Sequence, residues 1–291
     1  MFLQVVVAPA AGGPADRAGL RPGDTLVSVD DVPLDGLSVY EAAALLQGPD
    51  GTGVTVTYLP AGKRTPKAVL LTREAIKVVA VSSAVCPPVA PATGSVGYIR
   101  VTAFNGTTPA GVRSALQSVV TDGGASSLVL DLRSNGGGSF PAAVDVARML
   151  IPKGVVVYIA DSTGVRDIFE AGEDPKQLAV SPTLPMVALV NKGTASAAEV
   201  LAAALHDDGR ARLVGEQTFG KGIIQTTVPL SDGSAVNVTV AKYQTPSGTD
   251  INKVGITPDG PSPLTDGPSS PQAFCQALTP GAAAALFPAA Q

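Results

Sequence analysis

The sequence predicts an α/β protein in two parts, a small β-rich module followed by a larger domain in which strands and helices alternate. Up to residue 72, short runs rich in β-branched residues are separated by glycine, proline and aspartate. From about residue 76 the runs lengthen and strands alternate with helices, which is typical of a layered α/β fold. A chain of 291 residues with 45% hydrophobic residues can bury the cores of two such domains.

In the first module the pattern predicts one helix, in SVYEAAALLQ, and four strands, at residues 2–7, 25–30, 53–59 and 67–72. The string PADRAGLRPGDTLVSVDDVPL (14–34) resembles the middle of a PDZ domain, a module that binds the C-terminus of a peptide as an added strand. In that resemblance the glycine-rich carboxylate-binding loop would precede residue 1. The resemblance therefore implies a partial, N-terminally incomplete PDZ domain over residues 1–75.

In the second domain we predict strands in SVGYIRV, SSLVLDL, VVVYIA and PMVALV, and helices in PAGVRSALQSVV and PAAVDVARMLI. The Pro- and Gly-rich stretch 258–272 predicts a surface loop before a short C-terminal helix. We expect a core domain over residues 76–265 and a tail over residues 266–291 that packs on it.

Composition excludes several classes of function. Charged residues make up 15% of the chain and the formal net charge is −4, so no basic surface is available for nucleic acid or an anionic membrane. The longest apolar runs fall well short of the roughly 20 residues of a membrane-spanning helix, so we expect no membrane insertion. The start of the chain carries no signal or transit pattern, so it does not indicate a location.

The two cysteines, Cys86 and Cys275, lie far apart and have no spacing typical of a metal site. Two interpretations stay open. They form a disulfide that ties the start of the second domain to the tail, or they are two buried free thiols.

The segment NKGTASAAEV places Ser196 where a predicted strand leads into a helix. A serine nucleophile needs a base, and the one histidine, His206, follows ten residues later on the same predicted helix, roughly 15 Å away at the helical rise. His206 is expected at the surface, near the end of that helix. A lysine kept neutral by burial is the alternative base. Lys221 lies in the apolar stretch TFGKGII, which predicts such a burial.

Further residues complete the predicted chemistry. Gln225 follows Lys221 by four residues, and its neutral amide can orient an uncharged amine. The glycines of SNGGGSF, which end at Gly138, let backbone N–H groups approach a substrate carbonyl. The N–H group of Ala197, at the start of the helix, is the natural second donor of an oxyanion hole.

Each feature also has a simpler interpretation. Ser196 and Glu199 fit a capping box, in which the serine only caps its helix. Lys221 alone fits a solvated loop lysine, and the glycines alone fit an ordinary strand-to-helix turn.

The motifs DLRSNGGG, GTASAAEV and TFGKGIIQ, in this order, resemble those of the C-terminal processing, or tail-specific, serine peptidases. The resemblance extends over residues 76–260 and implies a ClpP/crotonase-like layered α/β core. It assigns Ser196 as nucleophile, Lys221 as general base, Gln225 as its support, and Gly138 and Ala197 as oxyanion donors. It implies a protein or peptide substrate with a free C-terminus, no cofactor or metal, and a monomer.

Other segments, such as KYQTPSGTDINKVGITPD, are similar to the chloroplast branch of that family. Enzymes of that branch trim the C-terminal extension from the precursor of the photosystem II reaction-centre protein D-one. The similarity implies residence in the thylakoid lumen. Two alternatives stay open, a non-catalytic PDZ-type peptide-binding protein and a crotonase-like acyl-CoA enzyme, although the second does not explain Lys221 with Gln225.

Overall fold

The computed structural model describes residues 4–6, 9, 12–21, 23–37, 39–75, 79–89, 94–172, 174–229, 235–264 and 270–288. The chain divides into two compact units, Met1–Val78 and Val79–Gln291. The predicted boundary near residue 75 borders residues 76–78, which lie outside the described residues. Residues 2, 3 and 7 of the first predicted strand and residues 266–269 of the predicted tail also lie outside them.

The first unit is an antiparallel sheet with two helices. Its elements are β1 (Gln4–Val5), α1 (Pro14–Arg17), β2 (Thr25–Val29), β3 (Val32–Pro33), α2 (Val39–Leu46), β4 (Gly53–Leu59) and β5 (Lys67–Thr72). The strand order is β1-β2-β4-β5, and β3 pairs with β2. Buried residues alternate along β4, so Val54 and Val56 pack with Leu34 of the loop after β3 and Ala42 of α2 in a small core.

The second unit is larger and combines two sheets with five helices among its described residues. Its elements are β6 (Val81–Cys86), β7 (Val96–Val101), α3 (Thr108–Leu116), β8 (Ser127–Asp131), α4 (Phe140–Leu150), β9 (Gly154–Asp161), β10 (Gly164–Ala171), β11 (Met186–Val190), α5 (Ala197–Asp207), β12 (Arg212–Gly215), β13 (Ile223–Pro229), β14 (Ala235–Gln244), α6 (Pro271–Ala277) and α7 (Pro280–Leu286). A π-helical turn, Gln117–Asp122, extends α3.

The central sheet of this unit has the order β12-β11-β8-β7-β6. Its strands are parallel except for β6, which runs antiparallel to β7. Every residue of β8 and β11 is buried, as expected for continuous apolar runs covered on both faces. One face packs in a core with α3, α4 and α5. The opposite face packs against α6 and α7, in a core that includes Phe274 and Leu286.

The second sheet is antiparallel, with the order β10-β9-β14-β13. Residues of β9 and β14 join the core formed by α4 and α5. Three aromatic rings pack at this junction. Phe140, the first residue of α4, stacks on Tyr243 of β14 with ring centroids 5.3 Å apart, and it meets the edge of Phe169 of β10 at 5.0 Å.

Several elements differ from the predictions. The chain ends in two short helices, α6 and α7, where one was predicted, and six strands were not predicted, namely β3, β6, β10, β12, β13 and β14. Most of β10 is exposed, so its residues lack the apolar alternation that indicates a strand from sequence. Within the described residues, no helix has both the length and the apolar character needed to cross a membrane.

Candidate active site

The carboxyl ends of β8 and β11, which are parallel neighbours, bring the SNGGG and GTAS segments together. Hydrogen bonds join the two segments directly. The Ala195 N–H group donates to the carbonyl of Asn135 at 2.9 Å, and the Thr194 hydroxyl donates to the carbonyl of Leu132 at 2.9 Å. The glycine loop after β8 and the turn that carries Ser196 therefore form one hydrogen-bonded unit.

A buried charge cluster supports the start of the glycine loop. Asp131, the last residue of β8, is fully buried and accepts from Arg133 Nη2 at 2.6 Å and Nε at 2.9 Å. The Tyr98 hydroxyl also donates to it, at 2.6 Å. Burial, followed by the charge of Asp131, raises the pKa of Tyr98 far above its usual range, so this hydroxyl remains a donor. The DLR motif thus anchors the loop by satisfying a buried carboxylate.

Ser196 is the N-cap residue of α5, and its backbone is strained, with φ 57° and ψ −122°. Positive φ is uncommon for a residue with a side chain, and this ψ also lies outside the left-handed helical region. Such a conformation costs about 1–3 kcal/mol and persists where the surrounding structure holds it. The serine is partly exposed. A strained strand-to-helix turn of this kind is the arrangement that presents a nucleophilic hydroxyl.

The hydroxyl of Ser196 takes the N-cap position of a capping box at the start of α5, where its oxygen faces the Glu199 N–H group. That N–H group makes its hydrogen bond with the carbonyl oxygen of Ser196 at 2.8 Å, so the side-chain oxygen is at most a weak acceptor there. The Ser196 N–H group donates to Oε2 of Glu199 at 2.9 Å, which forms the other half of the box. A cap uses the oxygen of a hydroxyl and not its proton, so the box leaves the proton of Ser196 available for other chemistry.

Gly137 lies directly against the serine turn. Its φ is 97°, and a Cβ atom at this position would lie 2.8 Å from the Ser196 Cβ and 2.8 Å from the Ala195 carbonyl oxygen. Only a glycine fits both the conformation and the space. Its N–H group donates to Oδ1 of Asn135 at 2.9 Å and is therefore already paired.

The N–H groups of Gly138 and Ala197 are both free of partners within the part of the chain that the structure describes. Ala197 lies close to the glycine loop, since a Cβ on Gly137 would be 3.0 Å from its nitrogen. Phe104 fixes the loop from the other side, accepting from Ser139 N–H and donating to the Gly137 carbonyl, both at 2.8 Å. Two unpaired donors, one in the glycine loop and one next to the serine, are what an oxyanion hole requires.

The loop that carries Lys221 is packed through its glycines. Cβ atoms on Gly220 and Gly222 would approach backbone atoms of residues 252–255 to 2.6–3.1 Å. The prediction that the apolar stretch buries Lys221 is wrong, because Lys221 is exposed and Phe219 is 64% exposed. The close backbone packing of the two glycines leaves the side chain of Lys221, which lies between them, outside the core. The amine of Lys221 makes no hydrogen bond or ion pair with any described residue.

A single carboxylate joins the lysine loop to the serine turn. Oε2 of Glu199 accepts from the N–H groups of both Ser196 and Lys221, each at 2.9 Å. Gln225 lies four residues after Lys221, on β13, where it pairs with Thr239 across a bulge and is exposed. The structure therefore brings the backbones of Ser196 and Lys221 together, and the side chain of Gln225 makes no hydrogen bond with any described residue.

His206 lies in the last turn of α5, at the opposite end from Ser196. It is partly exposed, as predicted, but it also bridges two carboxylates. Its Nε2 lies 3.1 Å from Asp259 Oδ1 and its Nδ1 lies 3.3 Å from Asp207 Oδ1. Partial burial lowers the pKa of His206, but the bonds to these two aspartates and their charges outweigh it, so the pKa is raised.

Sequence reasoning missed two residues of this site. Asn135 is fully buried, and besides holding Gly137 it donates from Nδ2 to the Val101 carbonyl at 2.9 Å. Glu199 was noticed for its place in a capping box, but its contacts with the lysine loop were not. Those contacts depend on residues about 20 positions away, and no local pattern marks them.

Comparisons with known proteins agree with this arrangement. The sequence model of peptidase family S41 matches residues 95–262, and that of the PDZ domain matches residues 5–59. A chloroplastic C-terminal processing peptidase from Tetradesmus obliquus is 45% identical over 291 residues, with 97% of this chain and 62% of the relative covered. Carboxyl-terminal-processing peptidase 2 of Arabidopsis thaliana is 45% identical over 278 residues, with 94% and 52% covered.

A solved structure described as a photosystem II D1 C-terminal processing protease superimposes with a TM-score of 0.72 and 44% identity. The superposition covers 97% of this chain and 74% of that one. The chain thus spans 62% and 52% of the lengths of the two relatives above. The predicted family and the predicted α/β fold with a PDZ domain are confirmed. Because the S41 match covers more than half of the chain, the chain belongs to peptidase family S41.

Proposed function

We propose that this chain is a serine endopeptidase that removes C-terminal extensions from protein substrates, with Ser196 as nucleophile and Lys221 as general base. One observation carries the proposal. The strained turn at Ser196 lies against the glycine loop, and the N–H groups of Gly138 in that loop and of Ala197 next to the serine bond to no described residue. A serine that only capped its helix would not need a strained backbone.

In the proposed reaction the uncharged amine of Lys221 takes the proton from Ser196 as its oxygen attacks the scissile carbonyl. The N–H groups of Gly138 and Ala197 stabilise the negative oxygen of the tetrahedral intermediate. The lysine then returns the proton to the leaving amine, and an acyl-enzyme remains. Water, activated by the same amine, attacks the ester carbonyl and releases the product with a free serine.

The amine of Lys221 must be uncharged to act as general base, although the side chain is exposed in this structure. In the proposed complex, the bound substrate buries the amine. A peptide lying over the serine turn excludes water from the amine and disfavours its charged form. Gln225 orients the uncharged amine through its side-chain amide in the substrate complex, where catalytic hydrogen bonds tighten.

Three variants test the assignment in the 291-residue chain, with a peptide that carries a C-terminal extension as substrate and mass spectrometry as readout. Ser196→Ala and Lys221→Ala are expected to lose at least about 1,000-fold in rate. Lys221→Arg keeps the positive charge but cannot give up its proton, so it is expected to be as inactive as Lys221→Ala. His206→Gln serves as a matched control outside the site. Turnover by Lys221→Arg at the wild-type rate contradicts the assignment.

The substrate and the location also belong to the proposal. Relatives named as chloroplastic processing peptidases and as a photosystem II D1 processing protease support a role in the chloroplast, with the D1 precursor as substrate. The disulfide supports the thylakoid lumen as the compartment, because disulfides persist in oxidising surroundings. We further propose that the enzyme acts as a monomer, which light scattering of the purified chain would check.

The first unit offers a place for the substrate's C-terminal side chain. An apolar cleft of about 600 Å³ lies between the end of α2 and β5, and its lining includes Leu46, Val54 and Leu71. A PDZ module that binds peptide ends uses such a cleft for the last side chain. The alternative of a non-catalytic peptide-binding protein retains this cleft but predicts no cleavage. The assay with Ser196→Ala distinguishes the two functions.

A further inference from the structure

Glu199 is a fully buried carboxylate whose four hydrogen bonds all come from neutral donors. Its Oε1 accepts from the Thr218 hydroxyl at 2.6 Å and from the Gly220 N–H group at 2.7 Å. Its Oε2 accepts from the N–H groups of Ser196 and Lys221, both at 2.9 Å. Burying a charge is costly unless its hydrogen-bonding capacity is satisfied, and these four bonds satisfy it.

Helix capping accounts for only one of the four bonds. A glutamate at the third position of a helix closes a capping box through the N–H group of the N-cap residue, here Ser196. The other three donors belong to residues 218–221, which lie 19 to 22 positions further along the chain. A function beyond capping is needed to explain them.

We propose that Glu199 is a positioning residue that holds the Lys221 loop against the Ser196 turn through a single carboxylate. The inference rests on the proposed function. Both backbone nitrogens, of Ser196 and of Lys221, bond to the same Oε2 atom. The distance between them therefore cannot exceed the sum of the two hydrogen-bond lengths. Glu199 exchanges no proton in the reaction. It acts by holding the backbones of the general base and the nucleophile at a fixed separation before the reaction begins.

Other bonds keep the loop in place when Glu199 is changed. The Phe219 N–H group donates to the Thr194 carbonyl at 3.0 Å, and the Lys253 N–H group donates to the Gly220 carbonyl at 2.8 Å. We therefore expect Glu199 variants to fold. The N–H groups of Gly220 and Lys221 would nevertheless lose their acceptor. A displacement of about 1 Å at a catalytic group can cost about 100-fold in rate.

Glu199→Gln is the sharpest test, because it keeps the size of the side chain and replaces one acceptor oxygen by a donor. Each oxygen of Glu199 faces two donors, so the new amide group meets two other donors whichever way it turns. For a peptide with a C-terminal extension, we expect kcat to fall about 100-fold while KM stays within about threefold of the wild type.

Thr218 gives a milder, matched pair of variants. Thr218→Val keeps the volume of the side chain but removes the hydroxyl, which donates to Glu199 and accepts from the Ile256 N–H group at 2.7 Å, so we expect kcat to fall about tenfold. Thr218→Ser keeps the hydroxyl, and we expect its kcat to stay within about twofold of the wild type. The comparison separates the hydrogen bonds of the hydroxyl from the packing of the side chain.

Labelling and folding measured together separate positioning from a general structural contribution. We expect a fluorophosphonate to label Ser196 more slowly in Glu199→Gln, while thermal unfolding of the same samples shows folded protein at the assay temperature. A loss of folded protein lowers the labelling only in proportion to the unfolded fraction.

Wild-type kcat in Glu199→Gln overturns the inference, and so does a loss of labelling and turnover no larger than the unfolded fraction. If this variant does not fold, equal rates in Thr218→Val and Thr218→Ser overturn it. Ser196→Ala and Lys221→Ala are assayed alongside. Full activity in these two contradicts the proposed function itself. Their inactivity, together with a fully active Glu199→Gln, contradicts only the positioning.

Discussion

Cys86 and Cys275 are joined by a disulfide that connects the last residue of β6 to helix α6 across 189 residues of sequence. The bond lies beside the stacked rings of Tyr98 and Phe274, in the core between the central sheet and the C-terminal helices. The sequence left a disulfide and two free thiols equally open. The fold decides between them, because α6 packs directly on β6 and β7.

Loss of this disulfide is expected to destabilise the second unit. A cross-link that closes so long a loop restricts the unfolded chain strongly, and removing a native disulfide typically costs about 2–5 kcal/mol. We expect urea unfolding of the Cys86→Ser, Cys275→Ser double variant to show a loss in that range. Wild-type protein with a reductant should match the double variant. Equal stability of oxidised and reduced wild type would contradict the prediction.

Alanine at Gly137 is expected to lower activity strongly, whereas alanine at the adjacent Gly136 is expected to leave it nearly unchanged. A Cβ on Gly137 would meet the Ser196 Cβ and the Ala195 carbonyl at 2.8 Å, while one on Gly136 meets nothing within 4 Å. We expect Gly137→Ala to lose about 100-fold in kcat, because the oxyanion donors and the serine move apart. Peptide cleavage assays of the two variants check this, and equal losses in both would refute the explanation.

His206 is expected to contribute stability that depends on pH. Partial burial opposes its charge, but Asp259 and Asp207 raise its pKa in the folded state. The contribution of protonated His206 is therefore fully present below its unfolded value of about 6.5 and is lost as pH rises through the folded value. Urea unfolding should show a larger deficit for His206→Gln at about pH 5.5 than at about pH 8.5. A deficit that is unchanged or grows at alkaline pH would rule this out.

Asn135 is expected to matter for both stability and rate. Asn135→Ala leaves the Gly137 N–H group and the Val101 carbonyl without their partner, at a cost of about 1–3 kcal/mol. The substitution also removes a hydrogen bond that holds the glycine loop beside Ser196, so kcat is expected to fall. The exposed Ser114 on α3 provides the control, and Ser114→Ala should stay within about 0.5 kcal/mol of the wild type. Thermal unfolding and peptide cleavage of both variants give the comparison, and similar effects at the two positions would contradict it.

Much of the fold could be predicted from local patterns. The apolar runs of β8 and β11 and the helical periodicity of α4 are continuous in the sequence, and the structure places all three in the core. The exposed strand β10 was missed because its residues carry no apolar alternation. The expected burial of Lys221 was wrong for a related reason. The apolar residues around Lys221 indicated burial. Gly220 and Gly222 pack their backbones on residues 252–255, however, and this packing leaves the Lys221 side chain exposed.

By itself, the sequence determined the family, the order of the motifs and the residue types that carry the chemistry, because glycine turns and apolar periods are local properties of the chain. The strained backbone of Ser196, the four partners of Glu199 and the cysteine pairing were decided only by the tertiary structure. Each depends on groups that are distant in sequence and meet when the strands pair. A hydrogen bond or a disulfide is set by distance and direction, and neither is encoded in the spacing of residues along the chain.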